Sequence, residues 1–412
     1  MEKRRVVITG MGVVTPIGSG KERFWDALME GKCGVDLISR FDTSNFKTKI
    51  GAEIRAFDYK DYGINPKDVK RMDRFTQYGV AAASLAIEDS GLKLGRYNDN
   101  VGTMIGTGIG GLMTLEEEKR KLIESKNPSR VSPFLIPMMM PNAVNAYVSI
   151  IHKLTGTSPC TANACATGAY SLIYAVKDIA LGDSDVIVAG GSEAILTEIA
   201  ASSFANMKAL SRRNDDPKRA CRPFDKDRDG FVIGEGAGVL VLEALEHALA
   251  RGAKICAEIV GYATNTDAYH ITAPDPEGRM VKKAIRDSLT MAGLEPADVD
   301  YVNAHGTSTP LNDKAEAFSI GEVFGDYKVP ASSTKSMIGH LIGAAGAVEA
   351  VVCALAIEKQ IIPANINYET PDPEMDLNII TEPTPAKLDV VMNNSLGFGG
   401  HNAVMVLRRY DG

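Results

Sequence analysis

Cysteine is scarce in this chain and never paired: the six residues stand singly at positions 33, 160, 165, 221, 256 and 353, with no C-x-x-C spacing. A structural zinc site or a disulfide framework needs clustered thiols, so neither is expected, and the reducing cytoplasm is the simplest compartment. Long apolar runs are also missing. The most apolar later stretch, from Pro133 to Ile151, is broken by Pro133, Pro137, Pro141 and several polar residues, so it offers no span of about 18 apolar residues and no membrane helix is expected. The opening MEKRRVVITGMGVVTPIG places basic residues before an apolar run, but Gly10, Gly12 and Pro16 interrupt it and no cleavage-like site follows. It reads as a first strand, not a signal peptide. Positive charge is not in excess either: 45 Lys and Arg face 52 Asp and Glu, a net charge of -7. That balance argues against a nucleic-acid binder held by phosphate contacts.

What remains is an ordinary globular composition, 45% hydrophobic and 24% charged over 412 residues, long enough for a large core in two or three domains or one fused pair. Strand-like runs at Arg5–Thr9, Val101–Gly106, Asp185–Ala189, Gly238–Leu242, Ile255–Tyr262, Tyr301–Ala304 and Val390–Asn394 alternate with helical patterns at Ala81–Ser90, Ser171–Leu181, Met280–Ala292 and Ala344–Glu358. Such alternation predicts α/β layers. A polar, basic join around Glu246–Lys254 separates two parts. Each part has one helix that starts in small residues, NACATGAYSLIYAVKDIA and GHLIGAAGAVEAVVCALA, and the pattern suggests an ancient duplication.

Two motifs invite the wrong chemistry. Gly106-Thr-Gly-Ile-Gly-Gly111 matches a dinucleotide fingerprint, yet about 20 residues on, where that motif needs an acid, stands Lys126-Asn-Pro-Ser-Arg130. Asp225-Lys-Asp-Arg-Asp-Gly230 opens like a calcium loop, but Gly236 occupies the twelfth position, where a glutamate should bind. A tight turn on a sheet explains the first, and carboxylates bonded to nearby backbone and arginines the second.

Cys165 lies in Thr161-Ala-Asn-Ala-Cys-Ala-Thr-Gly-Ala169, read as a strand leading into a helix with apolar positions at Leu172, Ile173, Val176 and Ile179. At a helix start the dipole and free amides favour thiolate, and small neighbours leave the sulfur approachable. His305, in NAHGTSTP, and His340, in STKSMIGH, each follow a predicted short strand and precede small residues. Side chains at strand ends point into clefts, where a neutral imidazole polarises a carbonyl or accepts a proton. Lys335 and Glu349 flank His340, and a nearby lysine keeps an imidazole neutral.

The segments VVITGMGVVTPIG, GTGIGG, ACATGA, VAGGSEA, RPFDKDRDGFVIGEGAGVLVLE, NAHGTSTPLNDKAE, STKSMIGHLIGAAGAVEA and NNSLGFGGHNAV follow one another along essentially the whole chain. Together they resemble the β-ketoacyl-[acyl carrier protein] synthases of type II, the elongating condensing enzymes of the thiolase-like superfamily. The resemblance implies a thiolase-like α/β fold of two duplicated halves in a five-layered αβαβα arrangement. Residues 1–253 would carry the nucleophilic cysteine and residues 254–412 both histidines. The implied catalytic residues are Cys165, His305, His340 and Lys335, with Glu349, Thr307 and Thr309 in support. Backbone amides of Cys165 and Phe398 would form an oxyanion hole, with Phe398 also a movable gate. Thiolases proper carry a second cysteine, and initiating condensing enzymes carry Cys-His-Asn, so two histidines favour the elongating branch. Asn163 and Leu396 depart from the threonine and phenylalanine frequent in relatives, which touches fine packing only.

The implied reaction condenses an acyl-[acyl carrier protein] with a malonyl-[acyl carrier protein] through an acyl-cysteine and releases carbon dioxide, with no cofactor and no metal. The acyl chain would run past Ile109, Phe134 and Phe204. Expected partners are an acyl carrier protein and a second copy of the chain. Carrier proteins of this kind are acidic, as this chain is, so docking requires a local basic patch. Lys67, Lys70 and Arg71 fall at helical i, i+3, i+4 spacing and, with Arg130, Arg212 and Arg213 in loop-like segments, would ring the tunnel mouth. The alternatives are a thiolase acting on coenzyme A esters, a polyketide-type ketosynthase, a non-catalytic chain-length partner, a class that lacks the cysteine, and a cysteine hydrolase, which would need a water-activating His–Asp/Asn pair and an open site.

Overall fold

The β-branched runs form strands in the computed structural model, which describes residues 3–412. In the first half, β1 (Val6–Thr15), β2 (Val101–Gly106), β3 (Val186–Glu193) and β4 (Gly236–Ala244) lie in the order β1-β4-β3-β2. In the second, β5 (Ala257–Thr266), β6 (Tyr301–Asn303), β7 (Pro330–Ser332), β8 (Val390–Gly397) and β9 (His401–Arg408) lie in the order β5-β9-β8-β6-β7. In both, the last strand of the half runs antiparallel between the first and the penultimate, and the penultimate pairs parallel with an earlier one. This shared order is what a duplication leaves. The two sheets are joined where β1 meets β5, at Val7–Glu258 and Ile8–Ala257.

Strand residues alternate between two cores. Ile187, Ala189, Leu240 and Leu242 face an inner cluster, while Val186, Val188, Val239 and Val241 face an outer one packed on α1 (Arg74–Ser90) and α2 (Ala143–His152). In the second half Met405 and Leu407 point inward, whereas Val404 and Val406 point to α4 (Arg279–Ala292) and α5 (Pro310–Phe324). Strands covered on both faces must be apolar throughout, which is why the runs show no polar alternation. Between the sheets lie α3 (Thr167–Leu181) and α6 (Ala345–Lys359), giving five layers. Every residue of α6 from Ala345 to Ile357 is buried, as a helix enclosed on all sides requires.

The small-residue helix starts have a packing cause. A Cβ at Gly168 would sit 2.7 Å from the Ala347 nitrogen, and one at Gly346 3.0 Å from Ala169 and 2.6 Å from the Ser395 hydroxyl. The two central helices touch backbone to backbone there, bringing the start of each to one point.

The predicted strands and helices all form, with ends displaced by up to seven residues, the most at the start of α1. Two expectations are corrected. No strand precedes Cys165; the segment before it is extended, and its Thr157 carbonyl accepts the Thr103 amide of β2 at 2.8 Å. His340 does not directly follow a strand either, because a short helix, Lys335–Ile338, intervenes after β7. Strand β9 had no counterpart in the sequence reading, although it pairs along its whole length with β8.

Candidate active site

Cys165 sits in a single 3₁₀ turn, Ala164–Ala166, that runs into α3. The Thr167 hydroxyl holds this turn, donating to the Ala164 carbonyl at 2.7 Å and accepting the Asn163 amide at 2.8 Å. Burial raises the Cys165 thiol to about 12, while the amides of Phe398 and Cys165 and the charge of Lys335 pull the other way. The helix start therefore does not by itself yield a resting thiolate, contrary to the expectation from its position. Desolvation of this buried residue outweighs those amides and that charge.

His305 and His340 arrive from the second half, at the ends of β6 and of the Lys335–Ile338 helix. Their rings lie 5.3 Å apart at 85°, and Phe231 stands edge-on to His340 at 5.4 Å. Both side chains are almost fully enclosed. Burial depresses both pKa values well below the usual 6.5, and the Lys335 charge adds to the depression. Each ring is thus neutral, and its tautomer follows from its Nδ1 partner. The Ile342 amide donates to His340 Nδ1 at 3.3 Å, and the Lys335 ammonium lies 3.3 Å from His305 Nδ1. With Nδ1 accepting in both, Nε2 carries the proton, so the pair offers two N–H donors.

Lys335 is itself wholly buried; its ammonium donates to Glu349 and, at 2.5 Å, to the His305 carbonyl. It touches His305 and not only the neighbouring His340. The His305 loop is drawn onto α5 by two buried acids. Glu316 accepts the amides of His305 at 2.7 Å and Gly306 at 2.8 Å, and Asp313 accepts those of Thr307 at 2.9 Å and Ser308 at 3.1 Å. The sequence reading assigned neither acid a role, although both stand in the NAHGTSTPLNDKAE segment, eight and eleven residues after the histidine.

A cavity of about 450 Å³ brings Cys165, His305, His340 and Phe398 together with Thr307 and Thr309. Thr307 and Thr309 bond each other at 2.9 Å beside the histidine. A buried thiol, two neutral imidazole donors and the backbone amides aimed at the sulfur suit carbon–sulfur and carbon–carbon bond chemistry at a thioester carbonyl.

Comparison with known proteins agrees. Residues 3–248 match the family model described as beta-ketoacyl synthase, N-terminal domain, and residues 256–369 match its C-terminal domain. The chain belongs to the β-ketoacyl synthase family. The synthase is 47% identical over 414 residues to a 3-oxoacyl-[acyl-carrier-protein] synthase 2 of Synechocystis, covering 100% of this chain and 99% of that protein. Among solved structures, the ishigamide ketosynthase/chain length factor superposes with a TM-score of 0.93 at 36% identity, covering 99% of this chain and 100% of that one. A type II polyketide ketosynthase, AntDE, in complex with its acyl carrier protein AntF, gives 0.92 at 33% identity, again covering 99% and 100%.

Other expected site residues divide. Ile109 and Phe204 line the synthase cavity, and Phe204 approaches Phe398 with ring centroids 6.5 Å apart. Phe134 does not line it; the ring lies under the Arg71 guanidinium at 4.4 Å. None of the six basic residues lines this cavity. Arg212 and Arg213 follow closely on Lys208 and Ala209, which line it, whereas Lys67, Lys70, Arg71 and Arg130 are exposed on segments that contribute no lining residue. The helix there is only Pro66–Val69, so Lys70 and Arg71 sit in the turn beyond it.

The look-alike motifs resolve as packing. A Cβ at Gly106 would lie 2.4 Å from the Thr161 hydroxyl, which accounts for glycine without a nucleotide. Asp225 accepts the amides of Glu369 and Thr370 at 2.7 Å each, and Asp229 accepts that of Arg212 at 2.9 Å. Those carboxylates are engaged in a turn.

Proposed function

We propose that this synthase extends acyl chains on an acyl carrier protein by decarboxylative condensation, with Cys165 as the acyl-bearing nucleophile. The observation that carries the assignment of roles is that Cys165 shares one buried cavity with two histidines whose Nε2–H groups are free to donate. Cys165 attacks the thioester of the acyl carrier, the carbon–sulfur bond to the carrier breaks, and the carrier thiol takes the proton the cysteine gives up. The amides of Cys165 and Phe398 hold the oxyanion that forms on the way. Malonyl carrier then enters past Thr307 and Thr309. Its carboxylate leaves as carbon dioxide, and His305 and His340 hold the enolate oxygen through Nε2–H. The enolate carbon bonds to the acyl carbon, the bond to Cys165 breaks, and the thiolate takes a proton from solvent. Lys335, braced by Glu349, keeps His305 neutral and turned so that it can donate.

On this reading the acyl chain leaves Cys165 past Ile109 and Phe204, with Phe398 as a gate, and Phe134 joins the route only if a second copy supplies it. The chain works as two halves, 1–253 and 254–412, forms a homodimer and acts in the cytoplasm. No helix among the described residues is long and apolar enough to cross a membrane. The complex of a similar ketosynthase with its carrier supports the carrier as partner. Lys67, Lys70, Arg71, Arg130, Arg212 and Arg213 are the groups we assign to carrier docking.

A polyketide-type ketosynthase is the second reading, favoured by the superposed structures; the higher identity to the fatty-acid enzyme favours elongation. Product analysis decides between them. Malonyl carrier and a ladder of acyl carriers should give products extended by one two-carbon unit. Repeated extension without reduction would instead support the polyketide type. Intact mass should show an acyl group on Cys165 and none on Cys165→Ala; an acyl group mapped to another cysteine would remove the assignment.

A further inference from the structure

Glu193, at the end of β3, is fully buried and lies behind the cavity wall, not in it. One carboxylate oxygen accepts the Thr107 hydroxyl at 2.8 Å; the other accepts two backbone amides, Gly108 at 2.7 Å and Gly343 at 3.1 Å. Thr107 in turn accepts the Gly110 amide at 3.2 Å. These donors come from two separate segments. The first, Thr107–Gly111, carries Ile109, and the second, Leu341–Gly343, carries Ile342; both isoleucines line the cavity. Room for the carboxylate exists only because both neighbours are glycine, since a Cβ at Gly108 would stand 2.8 Å from it and one at Gly343 2.7 Å. Ile342 is held at a φ of 48°, a conformation a β-branched residue adopts only under restraint. Neither the mechanism nor the basic patch uses Glu193.

We propose that Glu193 is a positioning residue for acyl-chain selection: it clamps the Thr107–Gly111 loop to the Leu341–Gly343 turn and so fixes Ile109 and Ile342 as the wall that limits the chain. Burial raises its pKa to about 7 against these donors, so the clamp is built from hydrogen bonds even where its charge is partial. The inference rests on Cys165 being the acyl carrier.

The test measures acylation of Cys165 by a panel of acyl thioesters, read by intact mass, as the ratio of kcat/KM for long over short chains. Glu193→Ala frees the wall and should raise that ratio about tenfold, the low end of what a hydrophobic pocket discriminates for one methylene. Glu193→Gln should keep the native ratio, because its carbonyl still accepts both glycine amides and its amide faces Thr107. An unchanged ratio in Glu193→Ala overturns the clamp, and so does a Gln variant shifted as far as the Ala variant, since charge and not bonding would then matter. Should Glu193→Ala not fold, Thr107→Val removes the bond to Glu193 and the one from Gly110 but leaves both glycine amides on Glu193, and should move the ratio the same way, about threefold; no movement there also overturns the proposal. If wild-type Cys165 takes no acyl group, the assigned reaction fails and not the clamp.

Discussion

Replacing Lys335 by alanine would leave a carboxylate stranded in the core. Lys335 and Glu349 are both buried, and Lys335 is the partner the structure gives Glu349. Removing one member of a buried ion pair costs about 3–5 kcal/mol, because the remaining charge keeps its desolvation penalty without its attraction. The Lys335 ammonium also holds the His305 carbonyl at 2.5 Å, and a hydrogen bond from a charged donor adds about 1.5–3 kcal/mol. These contributions share one group and do not sum, so a loss of about 4 kcal/mol is expected. That is a large part of a typical stability of about 5–15 kcal/mol. Burial already raises the Glu349 pKa; without lysine it rises further, and protonation relieves the stranded charge. The loss should therefore be smaller at pH 5 than at pH 8. Replacing both residues, Lys335→Met with Glu349→Leu, should cost less than Lys335→Ala, since no charge is left to strand. Urea unfolding of Lys335→Ala, of the double variant and of the two singles Lys335→Met and Glu349→Leu measures all of this. A loss below about 1 kcal/mol for Lys335→Ala, or a double variant worse than the sum of its singles, would refute the reasoning. Decarboxylation should fall in Lys335→Ala even at temperatures where it is folded, because the His305 tautomer is no longer imposed.

The remaining predictions concern charge, chain length and docking. Both histidines have folded pKa values well below 6.5, so beneath that pH the unfolded chain binds protons the folded chain refuses. Stability they contribute above pH 6.5 is lost as pH falls, at up to about 2.7 kcal/mol per pH unit for the pair; urea midpoints of wild type and a His305→Asn/His340→Asn variant should diverge over that window. Shortening Ile109 to alanine should raise the longest accepted acyl chain while short-chain acylation persists, and an unchanged profile by mass spectrometry would place the chain elsewhere. Charge reversal at Lys70, Arg71 and Arg212 together should raise KM for carrier-bound substrate and flatten its salt dependence while sparing transfer from a small thioester. Equal losses with both substrates would mean a damaged fold.

The local code determined which segments are strands and which are helices, because burial on both faces demands runs such as Val186–Ala189 and Val239–Leu242 and an all-apolar helix from Ala345 to Ile357. It also exposed Cys165, His305, His340 and Lys335 as reactive types in tight, small-residue surroundings. Strand β9 escaped notice, although Gly399 and Gly400, at φ of 82° and 73°, join two apolar runs as a hairpin turn does. What local order does not hold is the encounter of distant segments. Cys165 and His340 are 175 positions apart and meet because α3 and α6 cross at Gly168 and Gly346, where a side chain would collide with backbone. Protonation was likewise decided by tertiary burial. A helix start promises a thiolate, yet enclosing the sulfur raises its pKa to about 12. Only packing shows that Lys335 reaches His305, that Glu316 and Asp313 brace its loop, and that Phe134 packs under Arg71 and does not line the cavity. Desolvation and contact depend on which surfaces meet, and that is a property of the assembled layers, not of neighbours along the chain.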